Sequence, residues 1–212
     1  MTPFPVILSS PSGGGKTTIA RRLLEERDDV GYSVSATTRS RRASEVDGVD
    51  YHFLTPEAFR ARQDEGEFAE WAAVHGNLYG TLRSEVERVL GSGRHVLMDI
   101  DIQGARQFRA AFPRSVLIFL LPPSVGILVG RLRTRGTETE ASIQERLRNA
   151  VEEVEAARTY DYVVVNDDLS AAASRVSAII NAEGTRVGRD RGTNDRIAAL
   201  LDDLRRSIHI SQ

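Results

Sequence analysis

Apolar and polar positions along the chain keep switching between a period near two and a period near 3.6, and the switches lay out the elements. Phe4 to Leu8 is a short unbroken apolar run, and Ile19 to Arg27 has the composition of a helix. A buried strand and a helix are therefore predicted on either side of a Gly-rich stretch. Tyr32 to Thr38 alternates and is β-branched, which predicts a strand end entering a loop. Val49 to Leu54 predicts a further strand. Thr55-Pro56-Glu57 opens a helix to about Asp64, with a hydroxyl cap and a proline in the first turn. Phe68 to Val74 is strand-like, with Glu70 among apolar neighbours, and Gly76 to Thr81 predicts a turn rich in hydrogen-bonding groups. Leu82, Val86, Val89 and Leu90 then recur at helical spacing, Ser84 with Glu87 fits a capping box, and Gly91-Ser92-Gly93 closes that helix.

Val96 to Ile100 is a short apolar strand carrying Asp99, with Asp101 directly after it. Ser115 to Leu121 is almost wholly apolar, as a strand covered on both faces must be. Pro122-Pro123-Ser124 starts a helix through Arg133, and Thr137 with Glu140 fits a capping box for a longer helix to about Arg158. Tyr160 to Asn166 is the last clear strand, followed by a helix to about Ala182. Strands alternating with helices predict an α/β fold, a parallel sheet covered by helices on both faces. Residues 184–193 read as a polar Gly/Arg linker. From Asn194 to Ser207, Ile197, Leu200, Leu201 and Leu204 form an apolar stripe. That stripe is compatible with packing on the body, with pairing to a second subunit, or with fraying.

Composition narrows the function classes. Against 28 Lys and Arg stand 30 Asp and Glu, a formal charge of −2, so no global field draws the chain to nucleic acid or to an anionic membrane. There is no cysteine, which removes disulfides and thiolate metal sites and suits a reducing compartment. No apolar run approaches a membrane span, and the first residues enter a strand without a basic leader region. The expectation is a soluble cytoplasmic protein.

The most specific chemistry lies between the first strand and helix, where Ser9 to Thr18 reads S-S-P-S-G-G-G-K-T-T. Backbone N–H groups converge on an oxyanion only where no Cβ blocks them, and Gly13, Gly14 and Gly15 have none. The helix beginning near Lys16 adds the positive end of its dipole. Lys16 can reach β- and γ-phosphates, and the Thr17 hydroxyl is placed to ligate Mg²⁺. The pattern G-x-x-x-x-G-K-[ST] is complete except at its first glycine, where this chain has Ser10. Arg39, Ser40, Arg41 and Arg42 follow, then Glu45. Taken alone the cluster is a solvated loop, but after a phosphate loop it suits guanidinium clamps on a second phosphate, with Glu45 available to a base edge. Asp99 and Asp101, at the carboxyl end of a strand, either reach a ligand crevice (Mg²⁺ water or a substrate group) or cap the next helix. Tyr79 sits between flexible residues that expose it. Arg131, Arg133 and Arg135 beside Gly136, with Arg146 further on, either form a lid that neutralises a transferring phosphoryl group or a helix surface of Glu/Arg pairs.

These motifs together resemble the guanylate kinases, nucleoside monophosphate kinases that phosphorylate GMP. The likeness runs from about Val6 to Ala182. It rests on S-V-S-A-T-T-R at Ser33–Arg39, D-Y-H-F at Asp50–Phe53, G-N-L-Y-G-T at Gly76–Thr81 and D-I-D-I-Q-G at Asp99–Gly104. P-P-S at Pro122–Ser124, R-G-T-E at Arg135–Glu138 and V-N-D-D at Val165–Asp168 complete it.

The resemblance implies a P-loop core at 1–33, 91–129 and 151–183, a GMP-binding α+β insertion at 34–90 and a helical lid at 130–150. A linker and amphipathic helix would occupy 184–212. It implies that Ser12, Gly13, Gly14, Gly15, Lys16, Thr17, Thr18 and Asn166 bind ATP. Ser35, Arg39, Arg42 and Tyr51 would hold the GMP phosphate, with Tyr79 as a second tyrosine on that side. Glu45, Glu70, Thr81 and Asp101 would surround the guanine. Lys16, Arg39, Arg42, Arg131, Arg135 and Arg146 would carry catalysis, and Mg²⁺ would sit at Thr17, with Asp99 acting through water. Arg41 and Ser44 stand where the family usually has Pro and Gly, leaving a more mobile loop or extra charge by the phosphate. The expected reaction is direct in-line transfer of the γ-phosphoryl group from ATP to GMP or dGMP. Rival readings are a phosphopeptide-binding scaffold, a kinase with another acceptor such as a ribose bisphosphate, and a P-loop motor. The retained Lys16, Thr17 and lid arginines argue against the first. Glu45 and Glu70 beside the arginines argue against the second, and the chain's charge and length against the third. Monomer and homo-oligomer remain open.

Overall fold

The structure is a computed structural model that describes residues 2–74, 76–134, 140–189 and 191–210. Five strands form the main sheet: β1 (Pro5–Ser9), β2 (Val30–Tyr32), β7 (His95–Asp99), β8 (Val116–Leu121) and β9 (Tyr162–Val165). Their order is β2-β7-β1-β8-β9, and every pair in it is parallel. Each crossover therefore passes over a face of the sheet, and the helices cover both.

The period-two alternation of the strands decides which residue feeds which face. Val6 and Leu8 of β1 point into one core, with Ile19 and Leu23 of α1 (Lys16–Glu26) and Val176 and Ile180 of α7 (Leu169–Gly184). Ile7 points the other way, onto Val86 and Val89 of α3 (Arg83–Gly91) and Phe108 of α4 (Ile102–Ala111). β1 is buried along its whole length, as its unbroken apolar run predicted.

A second sheet holds four strands in the order β4-β3-β6-β5, made of β3 (Ala36–Thr37), β4 (His52–Phe53), β5 (Phe68–Val74) and β6 (Asn77–Leu82). Its small core stacks Phe59 of α2 (Pro56–Asp64) on Phe68, with ring centroids 4.3 Å apart. The N-cap of α2 is Thr55, whose hydroxyl accepts from the Ala58 N–H, as predicted. Two further helices, α5 (Val125–Thr134) and α6 (Glu140–Ala156), meet through Leu128, Leu132 and Ala150. α8 (Arg191–Ile210) ends the described chain. No helix among the described residues is long and apolar enough to cross a membrane.

The structure corrects several local expectations. Tyr32 to Thr38 is not one strand end: β2 joins the main sheet and β3 the second. Val49 to Leu54 contributes only His52 and Phe53 as strand. Gly76 to Thr81, expected as a turn, is mostly strand β6, because β5 supplies an antiparallel partner from Asn77 onwards. Ser84 and Glu87 form no capping box. β6 runs straight into α3, so Ser84 is already inside the helix, and the flanking Leu82 has no side chain to cap with. Residues 184–193 are anchored near Arg189, whose guanidinium meets the buried Glu183 carboxylate at 2.6 Å and lies 4.4 Å over the Phe4 ring. Arg135 and Thr137 lie outside the described residues.

Candidate active site

The first half of the site is the loop between β1 and α1. Gly13 and Gly15 have φ of 86° and 92°, a left-handed conformation that side chains disfavour. At Gly15 the reason is also steric, since a Cβ there would lie 2.4 Å from the Asn166 amide nitrogen. That amide donates to the Gly14 carbonyl at 2.7 Å. Asn166 is buried at the end of β9 and holds the loop in shape from below. Arg131 of α5 donates to the Asn166 carbonyl at 3.0 Å. Its other terminal nitrogen, Nη1, is buried without a hydrogen-bond partner among the described residues. Gly13, Gly15, Thr18, Arg131, Asn166 and Leu169 line one hollow on this side. Arg146 of α6 donates to the Ser12 hydroxyl at 3.0 Å, whereas Arg133, grouped with the same arginines in the sequence, pairs with the exposed Glu140 at 3.2 Å.

Thr17 and Asp99 meet directly. The Thr17 hydroxyl donates to Asp99 Oδ2 at 2.7 Å, and the Tyr32 hydroxyl donates to Oδ1 at 3.1 Å. With its proton spent on Asp99, the Thr17 oxygen keeps its lone pairs for a cation. Burial and the neighbouring Asp99 carboxylate raise the Tyr32 pKa.

The second half of the site lies across a cleft of about 630 Å³. Lys16, Thr17, Asp99 and Asp101 line it together with Ser35, Tyr51, Glu70 and Tyr79, and Asp101 and Glu70 flank Gly104. Glu70 of β5 is 8% exposed and accepts from the Thr81 hydroxyl at 2.6 Å. Burial raises its pKa, against the Thr81 hydrogen bond that lowers it. Asp101 caps α4, accepting from the Gly104 N–H at 2.7 Å, so the capping role applies, although the residue still borders the cleft.

Arg39 and Glu45 meet each other. Arg39 Nη2 and Nη1 reach the two Glu45 oxygens at 2.7 and 3.1 Å, and the Arg42 N–H adds a bond at 2.8 Å. These partners, the Arg39 guanidinium foremost, hold the Glu45 carboxyl below the usual range. Both Glu45 oxygens are thus engaged by Arg39 and the Arg42 N–H. The Arg39 guanidinium lies 5.5 Å from the Tyr51 ring centroid, and Tyr51 packs edge-on to Tyr79. Arg41 donates to the Glu45 carbonyl at 2.6 Å and so closes the loop. The Arg42 side chain is exposed.

Two residues of the site carried no signal in the sequence. Tyr32 was an ordinary strand tyrosine until β2 and β7 paired and brought its hydroxyl to Asp99. Glu153 of α6 was one of several glutamates on that helix, yet it lines a hollow with Ser12, Gly13, Gly15 and Lys16, and one of its oxygens is buried without a hydrogen-bond partner among the described residues. Burial raises its pKa.

A phosphate loop sharing one cleft with Tyr51, Tyr79 and the Glu70 carboxylate, with Arg39 packed on Tyr51 behind them, defines a P-loop nucleoside monophosphate kinase. The guanylate kinase family's sequence profile matches residues 2–183, and the chain belongs to that family. It is similar to the guanylate kinase of a Chelativorans species, 51% identical over 92% of this chain and 90% of the relative. The guanylate kinase of Agrobacterium fabrum is 46% identical over 93% and 90%. Among solved structures, the crystal structure of guanylate kinase from Anaplasma phagocytophilum is similar with a TM-score of 0.71 and 36% identity, covering 92% of this chain and 93% of that one.

Proposed function

We propose that the chain transfers the γ-phosphoryl group of ATP to the phosphate of GMP, in line and without a covalent intermediate. The acceptor oxygen is already anionic, so no side-chain base is needed, and the protein's work is positioning and charge neutralisation. The P-loop amides and Lys16 hold the triphosphate. Arg131 and Arg146 offset its charge from the lid side, and the unpartnered Arg131 Nη1 suits an anion at Gly15. Arg39, Arg42, Tyr51, Tyr79 and Ser35 take the GMP phosphate. Glu70, steadied by Thr81, accepts from guanine N1–H and N2–H₂, which adenine does not offer together.

The metal expected with ATP fits the residues present. The Thr17 hydroxyl and the Asp99 carboxylate are hard oxygen donors, and Mg²⁺ is commonly held by a few such groups plus substrate phosphates. Bound there, Mg²⁺ would neutralise charge on the phosphates. Thr17 and Asp99 fix each other's orientation on α1 and β7.

The observation that supports this reading is the shared cleft, which Lys16 and Glu70 both line. An ADP-release assay with GMP, dGMP, AMP and UMP tests it. Turnover confined to the guanine nucleotides is expected. Equal rates with AMP refute the role of Glu70.

A further inference from the structure

We infer that Gly104 determines base specificity: the missing side chain leaves room for the Glu70 carboxylate on the guanine-binding wall. The inference rests on the reading of Glu70 as the guanine acceptor.

Gly104 sits in the first turn of α4, three residues after the Asp101 cap, and it is buried. Its φ is not among the positive values that glycine alone tolerates. Alanine fits such a backbone and strengthens a helix relative to glycine, so local structure gives no reason for a glycine here. The reason lies across the gap to β5. A Cβ at position 104 would lie 2.9 Å from Glu70 Oε2, 3.4 Å from Asp101 Oδ1 and 3.5 Å from Glu70 Cδ. The first distance is below any ordinary carbon–oxygen contact.

The carboxylate has little freedom to retreat. Its other oxygen is tied to the Thr81 hydroxyl at 2.6 Å, and the residue is buried. A methyl group at 104 therefore turns the carboxylate out of its plane or takes its place on the wall. The Gly104 N–H and its bond to Asp101 are untouched by the change, so the cap of α4 survives. The consequence is selective. The acceptor pair for guanine is displaced, while the atoms nearest the added methyl belong to Glu70 and Asp101 and none of them to the P-loop.

The test is Gly104→Ala with Glu70→Gln beside it, read by calorimetric binding of GMP and of ATP and by thermal melting. Gly104→Ala is expected to weaken GMP at least tenfold, to leave ATP within twofold and to melt no lower than the parent chain. GMP affinity within threefold in Gly104→Ala, with a large loss in Glu70→Gln, overturns the inference and leaves the reading of Glu70 standing. Unchanged GMP affinity in both variants overturns the reading and the inference together. A joint loss of GMP and ATP affinity with a lower melting temperature shows a structural role for Gly104 and also overturns it.

Discussion

Replacing Glu70 by Gln keeps the shape of the site and changes two quantities in opposite directions. In the parent chain the Thr81 hydroxyl occupies part of one oxygen, and the rest of the carboxylate faces the cleft and Gly104. A guanine there gives its N1–H and N2–H₂ to a charged acceptor, and hydrogen bonds to charged groups contribute about 1.5–3 kcal/mol each. Glutamine keeps one acceptor oxygen but turns an NH₂ group toward a ring N–H, donor against donor. The loss is about 3 kcal/mol, roughly a hundredfold in GMP affinity at about 1.4 kcal/mol per decade. ATP affinity is expected to be unchanged, since Glu70 lines neither hollow beside the P-loop.

Folding stability moves the other way. Burial raises the Glu70 pKa in the folded protein, so the folded state holds its proton more tightly than the unfolded chain does. The contribution of Glu70 to stability is full below the unfolded pKa and is lost as pH rises through the folded one. At neutral pH the ionised group therefore costs stability, and the neutral amide removes that cost. Thermal melting at pH 7.5 is expected to be equal or higher in Glu70→Gln, with the difference shrinking toward pH 4. Calorimetry with GMP and with ATP supplies the other half. GMP affinity within threefold of the parent, or a joint loss of both affinities with a lower melting temperature, refutes the reasoning.

Other outcomes follow from the same geometry. Lys16→Met is expected to lower turnover by orders of magnitude with an unchanged circular-dichroism spectrum, and near-normal turnover sinks the assignment of Lys16. Gly15→Ala adds a Cβ at a φ of 92° and 2.4 Å from the Asn166 amide, so ATP affinity should collapse by calorimetry while GMP affinity survives. Glu183→Ala leaves the Arg189 guanidinium, 10% exposed, without its carboxylate and the Tyr162 hydroxyl without its acceptor. Breaking a buried pair in this way costs about 3 kcal/mol, visible as a lower urea midpoint with an unchanged slope, and an unchanged midpoint contradicts it. The Glu183 pKa is lowered in the fold, burial opposing and Tyr162 and Arg189 prevailing, so its contribution is present above the unfolded pKa and is lost as pH falls through the folded one. The difference between the parent and Glu183→Ala should therefore narrow in acid.

The sequence by itself determined the layered core and the phosphate loop. Both are written in local terms: unbroken apolar runs for strands covered on two faces, and glycines at the start of a helix where amides must converge. Ser9 to Thr18 needed no distant residue to be legible, and Glu70 drew notice because a carboxylate stood alone among apolar neighbours. Only the tertiary structure decided what depends on pairing between distant segments. Gly76 to Thr81 became a strand because β5 lay beside it, and its local composition spoke for a turn. Arg39 and Glu45, both predicted to face the second substrate, proved to be each other's partners. Tyr32 acquired its hydrogen-bond partner from the neighbouring β7, and Gly104 its close neighbour from a carboxylate 34 positions earlier in the chain. The physical reason is the range of the forces. Hydrophobic periodicity and backbone conformation act within a few residues, whereas hydrogen bonds and steric exclusion act only between groups that the fold has already brought within a few ångströms.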